Sequence, residues 1–151
     1  MIKIKWSQAS LSKFKSGLLT KAKSIGTNAV PVMKMFAGQV MAESKAEIPI
    51  DTGAAQSTAY VNEPKVGNGF VSVTMGYAGE GHDTLNTLTG IMVSQYIIML
   101  HETKGTNIGG GYYHPYGKWK FLEEPLKRNK QIFIETLRRS MQTTLNTGGI
   151  K

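Results

Sequence analysis

The order of apolar and polar residues predicts two long helices that flank a region of short strands. Over residues 29–47, apolar side chains recur at steps of three and four, which is typical of a helix with one buried face. Pro31 suits the first turn of this helix, and Pro49 marks its end. Over residues 122–145 the same spacing predicts a second long helix, with an apolar stripe made of Leu122, Leu126, Phe133, Leu137 and Met141.

Residues 1–28 are predicted to form a separate N-terminal arm. The first six residues alternate between apolar and polar side chains, which indicates a short strand. A short helix is expected to begin at Ser7 or Ser10, because serine is a preferred N-cap. Gly26 and Asn28 are expected to interrupt the chain before the long helix begins.

Strand signals lie between the two long helices. Alternation predicts strands over residues 57–62 and 70–77, and the glycine and asparagine of residues 65–69 predict the hairpin turn between them. Residues 91–102 are apolar and suit either a strand or a helix, although their β-branched residues favour a strand.

Glycine also marks two longer connections. Residues 78–90 and 103–115 are glycine-rich and are predicted to be loop insertions. Together these elements predict an α+β domain over residues 29–151, in which a small, mainly antiparallel sheet is packed by two long helices.

Composition excludes several classes of protein. The chain has 151 residues, 40% of them apolar, which is enough for one domain with a packed core. It has no cysteine, so disulfides, thiolate zinc sites and a cysteine nucleophile are excluded. The start of the chain lacks a signal-peptide core, and no apolar stretch approaches the roughly 20 residues of a membrane span. We therefore expect a soluble protein with no membrane partner.

The net charge of +8 is unevenly distributed along the chain. Residues 1–50 carry eight lysines and two glutamates, residues 51–100 carry one lysine and four acids, and residues 101–151 carry nine basic residues and four glutamates. Basic ends around an acidic middle suit contact with nucleic acid, contact between neighbouring subunits, or a merely solvated surface. Charge alone leaves these three explanations open.

The last predicted helix carries basic residues in rows. Lys127 and Arg138 are eleven residues apart, as are Arg128 and Arg139, and eleven residues make about three helical turns. Each pair therefore shares one side of the helix. These four residues are the candidates for contact with DNA or with an acidic neighbouring subunit.

The residues Asp51-Thr52-Gly53, in the string 48–54, suggest two alternatives. An apolar run followed by Asp-Thr-Gly-Ala is similar to the active-site loop of retroviral-type aspartic proteases, in which two chains each supply one Asp. A predicted helix that runs into Pro49 argues against that fold, and so does the lack of a suitable partner loop. The favoured alternative is a structural turn in which the Asp51 side chain accepts hydrogen bonds from nearby backbone amides.

Other candidate catalytic and metal sites are weaker. His101-Glu102 resembles half of a zinc-protease motif, but the residue four positions after His101 is Gly105 rather than a second histidine. No other group of potential ligands is close in sequence. We therefore predict no metal, no cofactor and no catalytic residue.

Aromatic and basic residues are concentrated after the second loop. Such a mixture suits stacking on nucleic-acid bases, a protein interface, or a loop folded onto its own domain, and the sequence leaves all three open. The aromatic and histidine members of this cluster are Tyr112, Tyr113, His114, Tyr116 and Trp119.

Four short strings occur in a fixed order along the chain. They are Ile-Pro-Ile-Asp-Thr-Gly-Ala (48–54), Met-Gly-Tyr (75–77), Tyr-Ile-Ile-Met-Leu-His-Glu (96–102) and Lys-Phe-Leu-Glu-Glu-Pro-Leu (120–126). This order, with a helix before the first string and after the last, resembles the tail-completion or head–tail joining proteins of tailed bacteriophages. These are also called minor tail or neck proteins. The resemblance covers about residues 29–145.

The resemblance implies a structural virion protein rather than an enzyme. Members of this family form a ring, usually a hexamer, that joins the head connector to the tail tube or tail terminator. The chain would be made in the host cytoplasm and reside at the head–tail junction of the virion, with DNA in the lumen as a further candidate partner. The aromatic cluster, together with His101 and Glu102, would then be the candidate subunit or partner interface.

Overall fold

Two long antiparallel helices form the framework of the fold. The computed structural model describes residues 8–67, 70–103, 107–108, 112–113 and 117–147. The helices in this part are α1 (Gln8–Glu47), α2 (Ala54–Ser57), α3 (Val93–Glu102) and α4 (Glu123–Thr147). The short strands pair two by two in antiparallel fashion, so the predicted α+β class with two long helices is confirmed.

Helix α1 is longer than the sequence pattern indicated. The interruption predicted at Gly26 and Asn28 is wrong, because the helix is continuous over 40 residues. Asn28 is held there by α4: its side-chain amide donates to Thr144 Oγ1 (2.6 Å), and its backbone carbonyl accepts from Ser140 Oγ (3.2 Å). These contacts offset the roughly 1 kcal/mol helix penalty of a nearby glycine. The boundary expected at residue 28 thus falls inside one helix.

Proline marks the ends of α1 only in part. Pro31 lies in the helix interior and not in its first turn, because the helix begins at Gln8. Pro49 does follow the last helical residue, Glu47, as predicted. The strand predicted for residues 1–6 lies outside the described residues.

The contact between α1 and α4 mixes apolar and polar side chains. Phe36 stacks on Phe133 with 4.2 Å between ring centroids. Next to this pair the buried Asn129 donates to Glu43 Oε2 (2.9 Å) and accepts from Gln39 Nε2 (2.8 Å). The predicted apolar stripe of α4 therefore differs slightly from the buried face that the structure shows. Leu126, a member of the predicted stripe, is exposed, whereas Asn129 and Pro125, which are not members, are buried.

The strands predicted after α2 form one interrupted hairpin. The outer pair joins β1 (Ala59–Val61) to β4 (Met75–Tyr77), and the inner pair joins β2 (Lys65–Gly67) to β3 (Phe70–Ser72). Between the two pairs, the backbone N–H of Asn62 donates to the carbonyl of Thr74 (2.8 Å). The turn predicted over residues 65–69 was therefore too wide, since its first three residues are strand and the last two lie outside the described part.

The ambiguous segment after the first loop is mainly helical. A two-residue strand, β6 (Ile91–Met92), pairs with β5 (Leu85–Asn86) and leads directly into α3, so the preference for a strand was wrong over most of the segment. The backbone N–H of Met92 donates to Gln95 Oε1 (3.1 Å) and so caps the helix start. The second loop contains a short pair, β7 (Asn107–Ile108) with β8 (Tyr112–Tyr113).

The hydrophobic core lies where the end of α1 meets α2, α3 and the residues before α4. Phe121 is almost fully buried, and its ring makes edge-on contacts with Tyr77 (5.4 Å between centroids) and His101 (4.9 Å). The other buried members of this cluster are Ile48, Ala55, Val93 and Leu100.

The Tyr77 side chain is partly buried at the edge of this core. Burial raises its pKa to about 12, and its oxygen lies 2.8 Å from the buried hydroxyl of Ser44. A raised folded pKa means that the unfolded chain ionises first, so stability is lost as pH rises from about 10 towards 12. We expect Tyr77→Phe to cost about 1 kcal/mol at neutral pH and to weaken this alkaline loss. Urea unfolding of both proteins across that range, with Tyr60→Phe as control, measures it. Parallel pH profiles for wild type and Tyr77→Phe would contradict the burial argument.

Candidate interaction surfaces

The turn at Asp51-Thr52-Gly53 connects two helices. Gly53 has a φ of +80°, a conformation that favours glycine, and directly precedes α2. The Thr52 hydroxyl accepts a hydrogen bond from the backbone N–H of Ala54 (3.3 Å). The predicted role of the Asp51 side chain is wrong, because its carboxylate is exposed and makes none of the described hydrogen bonds. The Thr52 hydroxyl instead accepts the N–H of Ala54, the first residue of α2.

This assignment gives a paired prediction. Thr52→Ala should destabilise the fold by about 0.5–1 kcal/mol, because an N–H at the start of α2 loses its side-chain acceptor. Asp51→Ala should change stability by less than about 0.5 kcal/mol, as for other exposed sites without contacts. Thermal unfolding of the two variants makes the comparison. A larger loss for Asp51→Ala than for Thr52→Ala would return the capping role to the aspartate.

A short segment, residues 117–121, closes the ends of two helices. The backbone N–H of Lys118 donates to the carbonyl of Glu47 at the end of α1, and that of Lys120 donates to the carbonyl of His101 near the end of α3 (2.8 Å each). Helix ends leave such carbonyls without partners in their own helix. The segment reaches them because Lys120 adopts a positive φ of 57° and because Gly117 lies against the backbone of Pro49.

His101 and Glu102 belong to an ion-pair network on this segment. His101 Nδ1 lies 2.7 Å from Glu102 Oε1, and Lys120 Nζ lies 2.6 Å from Glu102 Oε2 and 2.8 Å from Glu123 Oε2. The ammonium of Lys120, followed by His101, lowers the pKa of Glu102. Lys120 and then Lys127 lower the pKa of Glu123 to about 2. The carboxylates of Glu102 and Glu123 therefore stay charged at neutral pH, and their contribution to stability declines only as pH falls below about 4.5 towards 2.

Little of the aromatic cluster falls in the described part of the chain. His114 and Tyr116 lie outside the described residues, and Tyr112 and Tyr113 are described only as backbone of β8. Trp119 is partly exposed, and Lys120 Nζ lies 5.8 Å from the centre of its ring. The predicted interface role of these aromatic residues therefore stays a prediction.

The basic rows of α4 divide into two groups. Lys127 pairs with Glu123 (2.5 Å), while Arg128 pairs with Glu47 (2.7 Å) and Glu43 (3.1 Å). The carboxylates of Glu47 and Glu43 raise the pKa of Arg128, and a hydrogen bond from Asn129, followed by Arg128, lowers that of Glu43. These two basic residues thus serve mainly to tie α4 to α1 and to its own first turn.

The other two basic residues lie on the opposite end of the helix pair. Arg138 and Arg139 are exposed and form no ion pair with a described residue. They lie near the contact of Asn28 with Ser140 and Thr144, in a region made of residues 8–42 of α1, whose first part extends beyond α4, and residues 136–147 of α4. These two stretches contain five lysines, two arginines and no acid. We call this region the basic end; sequence order alone hides it, because its halves are about a hundred residues apart.

The opposite part of the molecule exposes apolar side chains. Leu85 lies directly across from Met92 in the β5–β6 pair, and Ile91 and Met92 lead into α3. Further along the helix, Ile98 is 73% exposed and Met99 is 47% exposed. Six large apolar residues share this exposure, and we call them the α3 face: Leu85, Leu88, Ile91, Met92, Ile98 and Met99. Neither alternative predicted for residues 91–102, a strand or a helix, indicates this exposed face.

Sites for a small ligand are scarce in the described part. No three His, Asp or Glu side chains are arranged there to hold a metal ion. A shallow groove between α1 and α4 is lined mainly by apolar side chains, among them Val32, Met35 and Ile132, with no charged group. His101 Nε2 and Glu47 Oε2 are buried without a hydrogen-bond partner among the described residues. None of these features brings together groups that could act as acid, base and nucleophile.

Neither a membrane-spanning helix among the described residues nor a similar known protein identifies the class of this chain. None of the helices in the described part has the length and hydropathy required to cross a membrane. No family model matches the chain, and no curated protein or solved structure matches it either.

Proposed function

We propose that the chain is a structural subunit of a bacteriophage neck, which assembles into a ring and helps to join the head connector to the tail tube. The observation that carries this proposal is the exposed α3 face. Burying six half-exposed apolar side chains would stabilise an assembly by of order 5 kcal/mol before the entropic cost of association. A face of this kind on a small domain is typical of a protein that functions in contact with others.

The positions of the four strings support the same proposal. Ile48, Tyr77, Leu100 and Phe121 come one from each string, and they belong to or pack against one core cluster. The 117–121 segment also ties the last string to the third through Lys120 and the Glu102 side chain. The strings on which the resemblance rests are thus parts of one packed unit rather than separate coincidences.

The test is the location and assembly of the protein. Phage particles purified from an infected host should contain the chain in a small fixed copy number, by quantitative mass spectrometry. Phage that lack the gene should accumulate filled heads and separate tails. Its absence from purified particles, or normal joining without it, would refute the neck function.

A second candidate function, DNA binding, is favoured by the basic end. Binding through Arg138, Arg139 and neighbouring lysines predicts an affinity for duplex DNA that falls steeply with salt. Replacing both arginines by glutamine should weaken it, whereas Lys127→Gln should not, since Lys127 is paired with Glu123. Fluorescence anisotropy with labelled DNA measures both variants, and equal effects would contradict the assignment.

The protease alternative has less support from the geometry. Asp51 lies between α1 and α2 rather than after a strand, and its carboxylate is exposed. Peptide cleavage at acidic pH that disappears in Asp51→Asn would nevertheless establish it. Absence of cleavage by the wild type over a broad peptide pool would end it.

A further inference from the structure

We propose that the N-terminal part of α1 from one copy docks on the α3 face of a second copy, so that this contact links successive subunits. This inference rests on the proposed self-assembly and names the surfaces that make the contact. It concerns residues 8–24 of α1, which we call the projecting segment.

The projecting segment extends beyond the helix that covers the rest of α1. Asn28 lies opposite Thr144, and α4 ends three residues later at Thr147. At about 1.5 Å per residue, the segment of 17 residues is about 25 Å long, compared with about 15 Å for the ten residues of α3. It is thus long enough to cover the α3 face.

The described hydrogen bonds of residues 13–24 are internal to their own helix. The hydroxyl groups of Ser16, Thr20 and Ser24 each donate to a backbone carbonyl about one turn earlier. No hydrogen bond or ion pair joins residues 13–24 to another element in the part of the chain that the structure describes. Leu18 is 53% exposed and Leu19 is 64% exposed. A helical segment with exposed leucines gains stability when a second surface covers them.

Charges around the two surfaces are opposite. Lys15 and Lys23 lie one turn before and one turn after Leu19, about 12 Å apart, and the projecting segment contains no acid. On the other side, residues 66–103 contain three acids and no Lys or Arg.

Two of those acids lie at the ends of α3. Asp83 Oδ1 accepts the backbone N–H of Ser94 (3.1 Å), and a hydrogen bond from the Ser94 side chain, followed by those from backbone N–H groups, lowers the pKa of Asp83. Glu102 is half exposed and eight residues further along, again about 12 Å, and its carboxylate is also in contact with Lys120 and His101. The apolar centre on α3 thus has at one end Asp83, which forms no ion pair with a described residue, and at the other end an acid shared with Lys120, whereas the apolar centre on the projecting segment has a lysine at each end.

This double match decides between the two classes of partner. Duplex DNA would neutralise Lys15 and Lys23 but would leave Leu18 and Leu19 in water. The α3 face of a second copy covers the leucines and supplies the opposite charges. The observations therefore favour a second copy of this chain over a nucleic acid.

The absence of cysteine from the sequence allows a direct test with introduced thiols. One preparation carries Leu19→Cys, and a second, with a size tag, carries Ile98→Cys; both positions are exposed, so the fold should tolerate them. Mixed under mild oxidation at high protein concentration, they should form the mixed disulfide dimer. A tagged Ile132→Cys partner, equally exposed on α4, is the matched control and should give at least tenfold less.

Charge reversal tests the electrostatic half of the contact. Lys15→Glu with Lys23→Glu should lower the yield of the mixed dimer about fivefold, on the scale of two exposed ion pairs. Lys130→Glu, exposed on α4, should leave the yield unchanged. Circular dichroism confirms that each variant remains folded.

Several results would overturn the proposal. The first is an equal yield of mixed dimer for Ile98→Cys and Ile132→Cys. The second is a dominant disulfide between two Leu19→Cys chains, which indicates contact between two projecting segments. The third is the absence of any mixed dimer together with loss of DNA binding in the variant that carries Lys15→Glu and Lys23→Glu. The neck function is judged separately by the content of purified phage. If the mixed dimer forms but the chain is absent from phage, the contact is supported and the neck function is refuted. If the chain is present in phage but the mixed dimer does not form, the neck function is supported and the contact is refuted.

Discussion

Replacing Gly117 by alanine is expected to destabilise the protein by about 3 kcal/mol or more. Gly117 has a φ of +112°, which L side chains rarely adopt, and an added Cβ would lie 2.4 Å from Pro49 Cα and 2.5 Å from Pro49 N. Strain of this kind costs about 1–3 kcal/mol, and forcing a methyl group into packed structure costs about as much again. The contact is with backbone, so no side chain can rotate to relieve it.

The consequence reaches two helices. Moving residue 117 away from Pro49 would pull the N–H of Lys118 from the last carbonyl of α1 and disturb Lys120 at the end of α3. Gly38→Ala is the matched control, because Gly38 is exposed in the middle of α1 and an added Cβ would meet nothing within 4 Å. It should stabilise the protein by about 0.5–1 kcal/mol. Chemical unfolding of both variants makes the comparison, and a neutral Gly117→Ala would refute the close approach.

Replacing Phe121 by alanine is expected to cost about 3–5 kcal/mol, the range for removing a buried aromatic side chain. Phe121 is 1% exposed, and its ring joins Tyr77 of β4 to His101 of α3. Loss of the Phe121 ring would leave a cavity where residues 75–77, 96–102 and 120–126, three of the four short strings of the sequence analysis, meet. For a domain of this size the effect corresponds to a large fall in melting temperature.

Phe70→Ala is the control for Phe121→Ala. The chemical change is identical, but Phe70 is 59% exposed on the outer part of the hairpin, so the loss should stay below about 1 kcal/mol. Calorimetry of the two variants at neutral pH measures the difference. Similar losses at both positions would mean that the core is centred elsewhere.

Local sequence signals were sufficient for the framework of this fold. The spacing of apolar residues predicted the helix before Pro49 and the helix over most of α4, because a buried helical face imposes its own period. Alternation and the glycines predicted the hairpin of β1 to β4 for the corresponding reason in strands. Each of these signals comes from residues that are neighbours in sequence, and they determined the α+β class.

Tertiary contacts decided what those signals could not. Asn28 stays helical because Thr144 and Ser140 bind it across the helix pair, and Asn129 faces inward because Gln39 and Glu43 satisfy its amide. Polar residues that are held by partners on another helix look like ordinary surface residues in a sequence, since the partner is about ninety or more positions away.

The candidate surfaces divide in the same way. The sequence determined the charge of +8, the absence of cysteine and the order of the four strings. Only the fold brought residues 8–42 and residues 136–147 to one acid-free end of the helix pair, paired Lys127 and Arg128 with acids, and left Ile98 and Met99 in water. The physical reason is that burial and ion pairing depend on distances in space, which helix packing sets and chain order does not.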